Sequence, residues 1–287
     1  MSIVPVVNEW FTHNRRDLPW RAPDFGAWGI LVSEIMLQQT PVARVIPRLT
    51  LWLERWPTPA DLAASPPGDA VREWERLGYP RRALRLHAAA VAITEQHGGV
   101  VPSDIDALLA LPGIGDYTAR AVAAFAFGLR HPVVDTNVRR VIARAVEGQA
   151  EAGPPSTRRD LAAMETLLPE SPEDARLFNA AMMELGAIVC AARAPRCDSC
   201  PIANSCRWRA EGYPPYEGVR AAVQATFEGS DRQVRGLIMA ELRGSDIPVT
   251  AEEIATVWPD AEQRDRALAG LLADGLAVRV TGGYELP

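Results

Sequence analysis

Residues 111–128 read LPGIGDYTARAVAAFAFG. Gly113 and Gly115 stand two apart, immediately before a strongly apolar run with helical spacing. A turn of this kind leaves backbone N–H groups unpaired and outward-facing at a helix N-terminus, an anion site that needs no cationic side chain. A lone G-x-G is also an ordinary helix–helix turn, and the residues alone leave both readings open. Twenty residues after Gly115, within HPVVDTNVRRV (131–141), Asp135 stands just before a helix beginning near Asn137. As an isolated residue, Asp135 is an N-cap.

On both sides of this stretch the chain reads helical. From Pro5 to Arg207, periodic apolar segments are separated by Pro and Gly, as in WPTPADL and SPPGDAV. Thr58 and Ser103 precede helical patterns and are predicted N-caps or turn formers. No repeat of fixed period is found. Glu211–Ser230, rich in Pro and Gly, reads as a linker.

The tail, Asp231–Pro287, has a different pattern. Val234, Leu237, Ile238 and Leu242 share one predicted helix face. Thr250 and Glu253 make a capping box, with Ile254 and Val257 inward. Asp260 caps a helix carrying Ala267, Leu268, Leu271 and Leu272. AVRVTGGYEL then reads as a hairpin turning at Gly282-Gly283. Three helices and a hairpin are the pattern of a winged helix, used for DNA contact or for protein packing alike.

Composition narrows the classes. The 287 residues are 48% apolar and 23% charged, ordinary for globular chains and unlike disordered or fibrous ones. No apolar run is long enough to span a membrane, and the N-terminus lacks the pattern of a secretion signal, so a cytoplasmic location is expected. The net charge of −6 argues against a uniformly basic surface but says nothing about local patches. All 30 basic residues are arginine. With no lysine, covalent catalysis through a lysine imine is excluded.

Cys190, Cys197, Cys200 and Cys206 are the only cysteines and fall within 17 residues. Without a secretion signal, metal binding is a better reading than disulfides. A structural zinc site usually has two Cys-x2-Cys pairs. Here Cys-x6-Cys-x2-Cys-x5-Cys has one, with wider flanking gaps, which favours a [4Fe–4S] cluster over zinc. The nearby Arg193, Arg196, Arg207 and Arg209 suit charge compensation of an anionic cluster, phosphate contact, or both.

This cysteine loop resembles that of the endonuclease III and MutY family of DNA glycosylases, and Leu-Pro-Gly-Ile-Gly followed by Thr-Ala resembles their helix-hairpin-helix. RRDLPWR (15–21), SEIMLQQT (33–40), LGY (77–79) and FNAAMMELG (178–186) look like the adenine DNA glycosylases of the MutY family. The resemblance spans roughly residues 8–210. It implies an all-α, two-domain glycosylase fold with a DNA cleft. A six-helix barrel with the hairpin would occupy about 23–130, and an iron–sulfur domain 1–22 plus 131–210. A linker (211–230) and a winged-helix-like α+β domain (231–287) would follow.

The resemblance implies a role for each matched residue. Glu34 is the general acid on adenine N7. Its pKa would have to be raised, which Ile30, Leu31 and Ile35 make plausible; by itself, Glu34 is a solvated helix position. Asp135 stabilises the oxocarbenium ion, and Asn137 positions sugar or water. Tyr117 stands where endonuclease III carries its imine-forming lysine, implying a monofunctional enzyme. Arg16, Leu18, Trp20 and Arg21 match the adenine pocket. Gln38 and Tyr79 match side chains that enter the base stack, although core packing is the commoner use of Trp20 and Tyr79. Gly113 and Gly115 bind DNA phosphate, and the four cysteines hold the cluster. The implied partner is double-stranded DNA with a mismatched or damaged pair, bound by a monomer, with no membrane involved.

Three positions depart from the family. Thr136 replaces a usual glycine, Pro80 a second tyrosine, and Ala180 the Gln or Glu that contacts the flipped adenine. The tail does not resemble the family's MutT-like domain. Two other functions therefore stand beside adenine removal from pairs with 8-oxoguanine or guanine. One is a thymine/uracil mismatch glycosylase. The other is a non-catalytic iron–sulfur DNA-binding regulator, against which the Glu34 and Asp135 pair speaks.

Overall fold

The structure is a computed structural model describing residues 2–219 and 226–287. The expected linker therefore lies partly outside the described residues, at 220–225. The fold is mostly helical. Its elements are α1 (Val4–Asn14), α2 (Ala27–Leu37), α3 (Val42–Arg55), α4 (Pro59–Ala63), α5 (Pro67–Trp74), α6 (Arg81–Gln96), α7 (Ile105–Ala110), α8 (Asp116–Phe127), α9 (Thr136–Ala145), α10 (Thr157–Glu165), α11 (Pro172–Ile188), α12 (Arg207–Ala210), α13 (Asp231–Gly244), α14 (Ala251–Thr256) and α15 (Ala261–Ala273), with strands β1 (Val278–Val280) and β2 (Gly283–Glu285). Two compact units form: Met1–Leu31, Ser103–Ala110 and Ile114–Ala222; and Val32–Pro102, Leu111–Gly113 and Val223–Pro287.

In the first unit, α9 and α11 pack together, with α1 against α11 and α12 against α9. Their stripes follow helical periodicity. Val138, Val141, Ile142 and Ala145 face inward from α9, and Phe178, Ala181, Met182 and Leu185 from α11. Val7 and Phe11 of α1 close the same core.

In the second unit, Leu86, Ala89, Ala90 and Ile93 form the buried stripe of α6, which packs on α4 and α5. Trp52 lies edge-on to Trp56 and Trp74, with centroids 4.6 and 5.6 Å away. Thr58 and Asp61 form a reciprocal capping box on α4. The cap expected at Ser103 falls instead on Asp104, whose Oδ1 accepts the Ala107 N–H at 2.9 Å. Helix α7 begins one residue later than its sequence pattern suggests.

The tail forms three helices and an antiparallel hairpin. The Thr250–Glu253 box and the Asp260 cap are present. Leu237 is not inward: it is 37% exposed, and Met239 is buried in its place. At about 100° per residue, Met239 lies on the Leu242 side of the stripe and Leu237 falls on the opposite rim. The hairpin turns at Thr281-Gly282 rather than Gly282-Gly283, because Val280 pairs with Gly283. Val249 adds a bridge to Tyr284.

The tail packs on α5 within its unit. Arg72 donates to the Arg243 carbonyl at 2.6 Å and the Ser245 carbonyl at 3.2 Å. Arg81 pairs with Asp274 at 3.1 Å. Gly68 lies so close to the tail that a Cβ there would stand 2.5 Å from the Pro287 carbonyl oxygen. Gly68→Ala should therefore displace that contact, and Arg72→Ala should leave two carbonyls short of a donor. Each is expected to lower the urea midpoint, by about 1–3 kcal/mol in stability. Wild-type midpoints for both would show that α5 does not depend on the tail.

Candidate active site

The HPVVDTN segment is pinned before its helix begins. Asn179 of α11 is fully buried; its Oδ1 accepts the Val133 N–H and its Nδ2 donates to the His131 carbonyl, both at 2.9 Å. Asp135 then caps α9, with Oδ1 accepting the Val138 N–H at 2.7 Å. Its Oδ2 accepts from Asn137 Nδ2 at 2.6 Å. Burial pushes the Asp135 carboxyl above the usual aspartate range, and the bonds from Val138 and Asn137 only partly offset this. Asp135 is thus both a cap and a carboxylate held in one orientation.

Asn137 is held in turn. Arg140 donates to Asn137 Oδ1 at 2.8 Å, to the Gly186 carbonyl at 2.6 Å and to the Cys190 carbonyl at 2.7 Å. With Oδ1 turned to Arg140, the amide nitrogen of Asn137 faces Asp135. A Cβ on Gly186 would lie 2.6 Å from that of Asn137, so α11 approaches α9 this closely only with glycine there. Tyr117 of α8 is half-buried, packed against Ala121, Ala124 and Val133.

Arg16 and Arg21 converge on one carboxylate. Glu184 of α11 is 1% exposed and accepts Arg16 Nε and Nη2, each at 2.8 Å, and Arg21 Nη2 at 2.9 Å. The Arg16 backbone N–H adds a bond at 2.8 Å. Burial alone would raise the Glu184 pKa, but the bonds from Arg16 and Arg21 outweigh it and bring it down to about 2. Leu18 is buried between the two arginines in sequence, and Trp20 is half-buried in the turn Pro19–Arg21. Sequence reading missed Glu184 because a glutamate inside an amphipathic helix carries no sign of its partners.

In the second unit, Glu34 is 5% exposed on α2, beside Ser33 and Ile35, which are also buried. It is not the solvated residue that a lone helical glutamate suggests. Gln38 is half-buried at the end of α2, while Tyr79 is 47% exposed with φ +48°. Gly113 is exposed with φ +77°. Gly115, which belongs to the first unit and is also exposed, is the extended N-cap of α8.

The four cysteines are free thiols lining one pocket of about 400 Å³, part of it open to solvent. Arg144 is buried there, with Nη1 3.5 Å from Cys190 Sγ and its guanidinium 4.8 Å from the Trp208 ring centroid. Burial, then repulsion from the other three sulfurs, pushes the Cys200 thiol up to about 11. Deprotonated, four thiolates in this pocket would carry a charge that a metal-bearing group could neutralise. The donor set and the adjacent guanidinium fit such a group. Among the described residues, no three His, Cys, Asp or Glu side chains are grouped to hold a single metal ion.

Replacing Glu184 with Gln should expose its contribution through pH. A carboxyl lowered from 4.5 to about 2 adds stability that is fully present above about pH 5 and lost as pH falls through the window between those values. The urea-unfolding gap between wild type and Glu184→Gln should be about 2–3 kcal/mol at pH 7, allowing for solvent screening at Arg16. It should shrink markedly at pH 3. A gap independent of pH would mean that packing, not charge, is what Glu184 supplies.

Residues 32–164 match the HhH-GPD superfamily base excision DNA repair protein family. The chain is 54% identical over 285 residues to an adenine DNA glycosylase of Mycolicibacterium smegmatis, covering 99% of this chain and 95% of that protein. Among solved structures, a thermostable thymine-DNA glycosylase aligns with a TM-score of 0.66 at 30% identity, over 73% of this chain and 95% of its own. A trapped endonuclease III–DNA covalent intermediate aligns with 0.63 at 25% identity, over 74% and 95%. The described residues contain no helix long and apolar enough to cross a membrane. The chain belongs to the adenine DNA glycosylases of the HhH-GPD superfamily of base excision DNA repair proteins.

Proposed function

We propose that this glycosylase hydrolyses the N-glycosidic bond of adenine paired with 8-oxoguanine or guanine and leaves the strand intact. The observation that carries this is Glu34, an acid 5% exposed on a helix whose Ile30, Leu31 and Ile35 are also buried. Adenine leaves poorly until its N7 is protonated, and a carboxyl placed out of bulk water is a suitable donor for that proton. Glu34 gives the proton to N7. The Asp135 carboxylate, oriented by Val138 and Asn137, stabilises the positive charge that grows at the sugar as the base departs. Tyr117, in a chain without lysine, forms no imine, so base release ends at an abasic site.

The remaining site residues divide the work of holding DNA. Arg16, Leu18, Trp20 and Arg21 wall the base pocket, with both guanidiniums oriented by Glu184. Gln38 and Tyr79 fill the space that the departing base leaves in the stack. Backbone amides at Gly113 and Gly115 take a phosphate without a basic side chain, which suits a chain of net charge −6. Cys190, Cys197, Cys200 and Cys206 would hold a [4Fe–4S] cluster, which would tie together the loop between α11 and α12.

A second reading, removal of thymine or uracil opposite guanine, is favoured by Ala180, which presents a methyl group where relatives use an amide or acid to contact adenine. The 30% identity to a thymine-DNA glycosylase structure is consistent with it. Duplexes carrying A:8-oxoG, A:G, T:G and U:G, treated with alkali after incubation, separate the two. Cleavage of the adenine duplexes alone is expected, with intact strands before alkali and little borohydride-trapped adduct. Preferential T:G or U:G cleavage would reverse the assignment, and trapping at the level of a true lyase would overturn the monofunctional reading.

Glu34→Gln should lower base release by roughly 100- to 10,000-fold while keeping DNA binding. A rate within about tenfold of wild type would remove Glu34 from the acid role. Asp135→Asn should be similarly inactive, although asparagine caps a helix as well as aspartate does; retained activity would reduce Asp135 to a cap. Anaerobically purified protein should be yellow-brown, with about four irons per chain. One zinc and no sulfide would defeat the cluster assignment.

A further inference from the structure

Two loops of the second unit carry the side chains proposed to enter the DNA stack, and both are built from backbone that resists regular structure. Gln39, beside Gln38, has φ +55°, and Tyr79 has φ +48° directly after Gly78 at +82°. Non-glycine residues in the left-handed region are strained and persist only where their surroundings hold them. The two loops are far apart in sequence, and one buried side chain joins them.

That side chain is Arg82, 7% exposed near the start of α6. Its Nη1 donates to the carbonyls of Ile35 at 2.8 Å, Met36 at 3.1 Å and Gln38 at 2.5 Å. The first two carbonyls are among the four at the end of α2 that have no intrahelical donor. Its Nη2 donates to Thr40 Oγ1 at 3.0 Å, the Leu77 carbonyl at 3.2 Å and the Gly78 carbonyl at 2.9 Å. The Tyr79 ring centroid is 5.7 Å from the guanidinium carbon, and that of Trp74 is 5.2 Å. Thr40 Oγ1 also donates to the Leu77 carbonyl at 3.1 Å, and Trp74 Nε1 to the Gly78 carbonyl at 2.9 Å.

We infer that Arg82 is a positioning residue for base extrusion: its guanidinium locks the Gln38 and Tyr79 loops into one rigid wedge. This rests on reading Gln38 and Tyr79 as the groups that enter the stack. Arg82 is too buried to take DNA itself, and its bonds go mainly to backbone oxygens, so it sets where the two side chains stand rather than what they contact. A planar fork spans both sets of carbonyls at once. A lysine ammonium keeps the charge but satisfies one set only. A wedge loosened by an ångström fills the stack poorly, and the base spends less time extruded.

The test is a mutant cycle on the full chain with an A:8-oxoG duplex carrying 2-aminopurine beside the target adenine, whose fluorescence rises on unstacking. Arg82→Lys should melt near wild type and bind undamaged duplex within about twofold. It should lose most of the fluorescence rise and at least roughly tenfold in single-turnover rate. Gln38→Ala/Tyr79→Ala should be impaired likewise, and adding Arg82→Lys to it should cost less than about twofold more, because coupled residues are not additive. Wild-type behaviour of Arg82→Lys would overturn the inference, as would an equal loss in both backgrounds. If Gln38→Ala/Tyr79→Ala unstacks DNA as wild type does, the wedge assignment itself fails and Arg82 falls with it, an outcome distinct from the other two. Should Arg82→Lys fail to fold, Thr40→Val, which removes one acceptor of the same guanidinium, takes its place in the cycle with the same non-additivity required.

Discussion

Carbonyl groups in the last turn of a helix have no donor within the helix, and guanidinium groups, buried at Arg82 and half-buried at Arg140, supply one here. Arg82 gathers the end of α2 and the loop after α5. Arg140 reaches the carbonyls of Gly186 and Cys190 as α11 ends, and Arg144 those of Ala191 and Ala192 just beyond. A fork of five N–H donors is suited to this, because it meets carbonyls from two segments in one plane. In a chain without lysine, arginine carries every cationic side-chain role except that of the histidines, and part of it is spent on backbone rather than on surface pairing.

The catalytic candidates sit on structure organised in this way. Asp135 and Asn137 begin α9, where helix capping fixes one carboxylate oxygen and the Asn137 amide the other. Arg140 turns that amide and reaches the backbone of the first cysteine, so the aspartate and the thiol loop share one network. Loss of order in the loop would reach Asp135 through two hydrogen-bonded residues, Arg140 and Asn137.

Charge is handled differently in the segment before α2. Arg16 and Arg21 could each serve a ligand, yet both are committed to Glu184, which holds its charge although buried. The pair is expensive to desolvate, and what it secures is orientation: the segment Arg16–Arg21 is tied to α11 at a fixed point. The tail has a comparable role toward α5, through Arg72 and the close approach at Gly68.

Local physics made much of this legible from residue order. The apolar spacing of α6, α9 and α11, the Thr58 and Thr250 capping boxes, the Asp260 cap and the hairpin near residue 282 all depend on neighbours within four residues, and sequence carries that information. Spacing likewise singled out the four cysteines, whereas Glu34 and Asp135 stood out only through resemblance to the glycosylase family. Long-range placement was decided only by the tertiary structure. It buried Glu34, which alone reads as solvated; moved the inward face of α13 from Leu237 to Met239; and shifted the α7 cap to Asp104. It also gave Glu184, Asn179 and Arg82 their parts, since each acts on groups distant in sequence or on backbone carbonyls, which are the same in every residue and leave no trace in a pattern of side chains.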